Sequence, residues 1–152
     1  MKSIIVVATD EEYKLAQKRF KGHRIIKTGV GGINVVRRLK RLPKWLKITN
    51  FGYVGSNKLP VGKEVDVIYC ELYHPGVDYK ESGFGLEVDK KYRYLVRCLT
   101  SCDFVTEYKG NDIVVFDMEL AFIMALGFKH VKSIKIVSDN LSLKDYEKNI
   151  GG

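Results

Sequence analysis

The stretch from Ile113 to Asn140 constrains the fold more than any other part of the chain. It opens with a short apolar run rich in β-branched residues, continues through an apolar segment that stops at Gly127, and closes with a second run from Ile134 to Val137. Strands buried on both faces are continuously apolar, and a helix that is apolar all round is buried as well. The pattern therefore predicts a strand, a helix and a strand in the core of an α/β fold.

Two acidic residues lie at the turns of this unit. Glu119 stands where the predicted helix begins, and Asp139 directly follows the second apolar run. In open α/β sheets ligands bind beyond the carboxyl ends of the strands, so both acids are candidates for a site. The competing interpretation is that Asp117, Glu119 or Asp139 caps a helix, as acids often do. Spacing alone leaves both interpretations open.

A third acidic turn follows the first predicted strand, which spans residues 3–8. Thr9 or Asp10 can cap the helix that comes next, and acids in its first turn favour the helix dipole. The functional interpretation is that this turn also lies at the carboxyl end of a parallel strand. Glu12 would then share a crevice with Asp139.

A glycine-rich turn opens the next predicted helix. Gly29-x-Gly31 matches the start of the dinucleotide fingerprint, but Asn34 stands where glycine or alanine is required, and no acid follows about 20 residues on. We therefore expect no dinucleotide cofactor. The turn still offers backbone N–H groups to an anion or a hydroxyl-rich ligand.

Short apolar runs predict further strands at 47–54, 64–71 and 99–105, the last of them entering the site. Residues 73–90 show little periodicity. A loop of that length in a compact domain is often a lid or a binding loop.

The composition fits one cytoplasmic domain spanning residues 1–152. No apolar run approaches the ~20 residues that cross a bilayer, and the chain start leads straight into a strand, without a signal-peptide core. The three cysteines and three histidines lack ligand spacing, so we expect reduced thiols and no metal site.

The net charge of +8 comes entirely from the N-terminal third. Residues 1–50 hold 13 basic and 3 acidic residues, whereas the remainder holds 13 basic and 15 acidic ones. Several of the basic residues flank the apolar positions of one predicted helix, at 35–44. Such a basic stripe can bind the phosphate backbone of a nucleic acid. A solvent-exposed helix face is the commoner explanation, so we do not expect nucleic-acid binding.

Together these pieces resemble the purine nucleoside phosphorylase and nucleosidase superfamily, and most closely the 5′-methylthioadenosine/S-adenosylhomocysteine nucleosidases. The most specific likeness is Met118-Glu119 at the start of a buried helix, with Ser138-Asp139 about twenty residues on. The acidic turn, the glycine turn and Gly55-Ser56 are similar to other family motifs, in the same order. The resemblance implies a three-layer αβα fold around a mixed, mostly parallel twisted sheet, in a shortened form.

The resemblance also implies roles for the acids. Asp139 would bind N7 and the exocyclic amine of a purine, Glu119 would hold the ribose hydroxyls, and Glu12 would hold the water that attacks the anomeric carbon. In another register Glu11 takes the role of Glu12. The remaining expected substrate contacts are Ala8, Ser56, Phe104 (stacked on the base), Val105 (by its backbone), Met118 (beneath the sugar) and Ser138.

These roles describe hydrolysis of an N-glycosidic bond without a cofactor. The resemblance implies that a phosphorylase would carry an arginine in the first loop to hold phosphate. This chain has Asp10-Glu11-Glu12 there, which would repel phosphate. The alternatives are a phosphate-dependent phosphorylase and a non-catalytic nucleoside-binding module. The chain is shorter than typical members, with a closing C-terminal helix of 141–150 at most, so we expect a homodimer to supply missing surface.

Overall fold

The computed structural model describes residues 3–79, 83–88 and 94–150. None of the helices in these ranges is long and apolar enough to cross a membrane. Over the described residues the elements are β1 (Ile4–Val7), α1 (Asp10–Arg19), β2 (Ile25–Lys27), α2 (Gly32–Leu39), β3 (Lys47–Ser56), β4 (Glu64–Leu72), β5 (Phe84–Gly85), β6 (Tyr94–Thr100), β7 (Val114–Asp117), α3 (Leu120–Ala125), β8 (His130–Asp139) and α4 (Leu143–Ile150).

The described strands form one mixed sheet, part of which closes on itself. Strand β1 lies between β2 and β3 and runs parallel to both. From β3 the pairing continues through β8, β4, β6 and β7, and β7 then pairs with β3 again. Five pairings between the described strands are parallel and three are antiparallel.

The predicted α/β class with a mixed, mostly parallel sheet is thereby confirmed. The predicted three-layer arrangement is only partly matched, because the pairings describe a barrel-like sheet in place of a single open layer. The cause is the position of β8, which pairs with β3 on one side and with β4 on the other.

The strand–helix–strand unit that anchors the sequence prediction is present as β7, α3 and β8. Strand β7 is buried along its whole length, and the core of α3 includes Leu120 and Ile123. Strand β8 is longer than its apolar run, because it starts at His130 and pairs with β3 from Lys47 to Gly55. Each of the two strands ends on an acid, Asp117 or Asp139.

Two sequence predictions differ from the structure. The predicted strand 99–105 ends early, since β6 stops at Thr100 and the chain then turns at Ser101, whose N–H donates to the Asp117 carbonyl. The predicted loop 73–90 contains the short strand β5, and its residues 80–82 and 89–90 lie outside the described ranges.

Adjacent residues of β4 test the packing of the closed sheet. Val67 is fully buried, whereas Ile68, at the register irregularity between Val67 and Tyr69, is 44% exposed. Val67→Ala should lower the free energy of unfolding by about 2 kcal/mol, because it removes buried apolar surface and leaves a cavity. Ile68→Ala, measured in the same urea titration, should change it by less than about 0.5 kcal/mol. Equal losses would contradict the difference in burial between these two residues.

Candidate active site

One cavity brings together the three acids that the sequence singled out. It lies among the residues that follow β1, β6, β7 and β8, beside the second half of β3 and the helix α4. Glu12, Glu119 and Asp139 all line it. The other predicted substrate contacts that line it are Ala8, Phe104, Val105, Met118 and Ser138.

Glu12 both caps a helix and faces the cavity. Its Oε1 accepts the N–H groups of Ala8 (2.8 Å) and Thr9 (3.2 Å), while the Thr9 hydroxyl accepts the Glu12 N–H, which together make a capping box. Its Oε2 accepts the Tyr53 N–H at 2.8 Å. Burial raises the pKa of Glu12, whereas Lys135 and the three N–H groups act in the opposite direction.

Asp139 is buried at the end of β8 and is held from both sides. Its Oδ1 accepts the Ser138 hydroxyl at 2.8 Å, and its Oδ2 accepts the Leu141 N–H at 3.0 Å. Leu141 has a φ of +64°, a backbone conformation that costs a non-glycine residue about 1–3 kcal/mol. Burial raises the pKa of Asp139. A carboxyl group that is easier to protonate is suited to donate a proton or a hydrogen bond.

Two glycines of β3 make room for these carboxyl groups. A Cβ atom at Gly52 would lie 2.5 Å from Glu12 Oε2, and one at Gly55 would lie 2.8 Å from Asp139 Oδ2. The β3–β8 register shifts between Val54 and Gly55: Val54 pairs with Val137 and Gly55 with Asp139, so the extra residue of this bulge, Ser138, lies on β8 beside the cavity.

The sequence left open whether Asp117 and Glu119 cap a helix or belong to a site, and the structure separates the two residues. Asp117 Oδ2 accepts the Leu120 N–H at 2.8 Å and so caps α3. Glu119 makes no such bond within its helix; its Oε2 accepts the Gly31 N–H at 2.8 Å, so the glycine turn binds the protein's own carboxylate. Burial, followed by the charge of Asp117, raises the pKa of Glu119 to about 8.

Lys135 is a buried charged residue behind the cavity, paired with Asp117, that the sequence prediction missed. It lies in the β8 run whose pattern predicts an apolar strand, and it is only 2% exposed. Its Nζ lies 3.4 Å from Asp117 Oδ2, and Asp117 Oδ1 accepts the Thr100 hydroxyl at 2.6 Å. Burial acts to lower the pKa of Lys135, but the surrounding acids, Asp117 first, outweigh it and the net shift is upward. A charged residue inside an apolar strand was the signal available in the sequence.

Ser56 is the predicted contact that the structure does not place in the cavity. It is fully buried, its hydroxyl donates to the Val114 carbonyl at 2.8 Å, and the same oxygen accepts the Leu59 N–H at 3.1 Å. The hydroxyl therefore fixes the turn after β3, and Ser56 does not line the cavity.

Comparison with protein-family models finds no match, and neither does comparison with curated proteins. Solved structures do match. An MTAN structure from Chlamydia trachomatis has a TM-score of 0.80 at 16% identity, covering 99% of this chain and 90% of that one. The 5′-methylthioadenosine/S-adenosyl homocysteine nucleosidase of Helicobacter pylori has a TM-score of 0.76 at 14% identity, covering 99% and 91%.

The chain therefore has the nucleosidase fold, which confirms the predicted resemblance at the level of the fold. A futalosine hydrolase of Helicobacter pylori shares it as well, with a TM-score of 0.76 at 13% identity over 99% of this chain and 91% of that one. Since enzymes named for different substrates match almost equally, the fold does not select one substrate.

The raised pKa of Glu119 predicts how stability changes with pH. Its carboxyl group shifts from an ordinary 4.5 to about 8 in the folded protein, so the folded state retains a proton that the unfolded state loses. Stability should be highest below about pH 4.5 with respect to this group and should fall as the pH rises towards 8. Glu119→Gln should flatten that decline in urea titrations at several pH values. The exposed Glu11→Gln serves as the control, and an unchanged slope in Glu119→Gln would contradict the assignment.

Proposed function

We propose that this protein is a purine nucleosidase that hydrolyses the N-glycosidic bond of an adenine nucleoside, such as 5′-methylthioadenosine or S-adenosylhomocysteine. The observation that carries the proposal is the convergence of Glu12, Glu119 and Asp139 on one cavity, in a chain with the nucleosidase fold. Bond cleavage needs a better leaving group, a stabilised cationic sugar and an activated water. One acid is available for each task.

Asp139 would act on the leaving base. A purine departs readily only when N7 is protonated or strongly hydrogen-bonded, and burial makes this carboxyl group easier to protonate. The Ser138 hydroxyl and the Leu141 N–H fix its orientation. Phe104 would stack on the base, the Val105 backbone would bind its edge, and Ser138 would support this end of the cavity.

Glu119 would hold the ribose. One of its oxygens is engaged by the Gly31 N–H, which leaves the other for the sugar hydroxyls. With a pKa of about 8 the group is largely protonated at neutral pH, and a positive charge developing on the sugar would favour its ionised form. Met118 would pack beneath the sugar, and Ala8 would contact it from the turn after β1.

Glu12 would hold the attacking water. A carboxylate has about four lone-pair sites, and the three backbone N–H groups occupy three of them. The remaining site, on Oε2, can accept a hydrogen bond from one water molecule and then its proton. The N–H groups hold the carboxylate in place, so the water has a fixed position relative to the sugar.

The charge of the cavity supports hydrolysis over phosphorolysis. None of the described residues that line it is a lysine or an arginine. Five of them are acids: Glu12, Asp103, Asp117, Glu119 and Asp139. A phosphate nucleophile needs cations to hold it. Water carries no charge and can bind beside a carboxylate.

Incubation with a panel of nucleosides, with and without phosphate, tests the proposal. We expect free adenine without any phosphate requirement, and Asp139→Asn should lower the rate by about 10²–10⁴-fold because it removes the proton donor. The exposed Asp78→Asn should leave the rate unchanged. A phosphate requirement would indicate a phosphorylase, and ligand-induced thermal stabilisation without free base would indicate a non-catalytic binding module.

We also propose a homodimer formed through the exposed apolar residues of the glycine turn and α2. Val30, Ile33 and Val36 are 47%, 76% and 39% exposed, and Val30 lines the cavity, so a partner seated there would border the site. Sedimentation velocity should show a dimer that Ile33→Asp converts to a monomer. Ile68→Asp, which places the same charge on an exposed isoleucine of β4, should remain dimeric. A monomeric unsubstituted protein would contradict this proposal.

A further inference from the structure

Phe104, the residue expected to stack on the base, is carried by a segment without regular secondary structure. This segment joins β6 to β7, lies wholly within the described residues and contains neither helix nor strand. Hydrogen bonds hold it on both sides of Phe104: the Asp103 N–H donates to the Ser101 hydroxyl at 3.3 Å, and the Tyr108 hydroxyl donates to Asp112 Oδ1 at 2.7 Å. These bonds restrain the course of the segment, but they do not set the plane of the Phe104 ring.

A tyrosine of α4 contacts that ring directly. The ring of Tyr146 packs edge-to-face on Phe104, with ring centroids 5.4 Å apart and an interplanar angle of 68°. Edge-to-face packing is a preferred arrangement of aromatic rings and favours one relative orientation. Both residues line the cavity, and among the residues that the structure describes no other aromatic ring contacts Phe104. The orientation of the Phe104 ring is therefore set from the C-terminal helix.

Helix α4 is joined in turn to the acid assigned to the base. Asn149 Nδ2 donates to the Ser138 carbonyl at 3.0 Å. The hydroxyl of the same Ser138 donates to Asp139 Oδ1 at 2.8 Å. Because Ser138 is bonded to α4 through its carbonyl and to Asp139 through its hydroxyl, the helix has a defined position relative to that acid.

We propose that Tyr146 is a positioning residue that holds the Phe104 ring in the plane on which the purine stacks. The inference rests on the proposed nucleosidase function, in which Phe104 binds a face of the base and Asp139 binds its edge. A flat base gains its full stacking contact only if the plane of Phe104 agrees with the plane in which Asp139 holds the base. The contact between Tyr146 and Phe104 keeps these two planes in agreement.

The effect of Tyr146 should appear in binding and not in the chemical step. Stacking is available to the base before and during cleavage of the glycosidic bond, so it contributes about equally to the bound substrate and to the transition state. Loss of the Tyr146 ring should therefore raise KM for the nucleoside and leave kcat nearly unchanged. A lower kcat with an unchanged KM would contradict the positioning role.

Calorimetric dissociation constants for adenine measure the stacking site by itself, because adenine is the base alone. Tyr146→Leu should weaken adenine binding by about two- to tenfold, the range that one aromatic pair contributes. Tyr146→Phe keeps the ring and should bind adenine as the unsubstituted protein does. Tyr94→Leu removes an exposed tyrosine of β6 that does not line the cavity, and it should have no effect.

A double-mutant cycle with Phe104→Leu shows whether Tyr146 acts through Phe104. If it does, Tyr146→Leu has no further effect on adenine binding in a protein that already carries Phe104→Leu. Additive losses would mean that Tyr146 contacts the base itself or only supports the fold, and they would overturn the inference. Equal weakening by Tyr146→Phe and Tyr146→Leu would also overturn it, because the hydroxyl would then bind the ligand.

The same measurements separate this inference from the proposed function. Adenine binding that follows the cycle, in a protein that releases no adenine from any nucleoside, supports the positioning role and contradicts the nucleosidase function. Release of adenine from a nucleoside, together with unaltered adenine binding in Tyr146→Leu, overturns the role and leaves the enzyme. Absence of adenine binding overturns the role, whatever the nucleosides show.

Discussion

The buried ion pair between Lys135 and Asp117 places a positive charge next to the acids of the site, and the rest of the site depends on it. Glu12, Glu119, Asp117 and Asp139 lie close together in a region that excludes most water, where unpaired charges are costly. Lys135 supplies a compensating positive charge from inside the closed sheet, and backbone N–H groups supply the rest. Removing one partner of such a pair would leave a buried charge uncompensated. The acids can therefore share one cavity because β8 carries a lysine beneath them.

The backbone around each acid then determines the position and the hydrogen-bond donors of its carboxyl group. Gly52 and Gly55 allow two carboxyl groups to approach β3, and the extra residue that β8 carries opposite Gly55 locally interrupts the pairing of the two strands. Leu141 accepts an unfavourable φ so that its N–H reaches Asp139. Each acid thus has a different set of donors, and the proposed roles of proton donor, sugar ligand and water ligand rest on this difference. Such division of labour among similar groups is common in active sites.

The strands and helix around Glu119 could be predicted from the sequence, whereas the features that depend on packing between distant segments could not. The apolar runs around Glu119 predict β7, α3 and β8, because burial on all sides leaves a clear pattern. The family resemblance adds the convergence of distant acids, which no local pattern contains. Closure of the sheet depends on which strands pair, and the burial of Ser56 depends on a hydroxyl bond to a distant carbonyl. Tyr146 lies on a polar C-terminal helix, and no local pattern in the sequence contains its contact with Phe104 in the cavity.

The most direct test of the central claim follows an oxygen atom from water to product. The protein is incubated in ¹⁸O-labelled water with an adenine nucleoside and unlabelled inorganic phosphate, and the released sugar is analysed by mass spectrometry. If Glu12 directs water at the anomeric carbon while Asp139 assists departure of the base, the sugar carries the label and free adenine appears in equal amount. Release of adenine with an unlabelled sugar phosphate, or no release at all, would contradict the account.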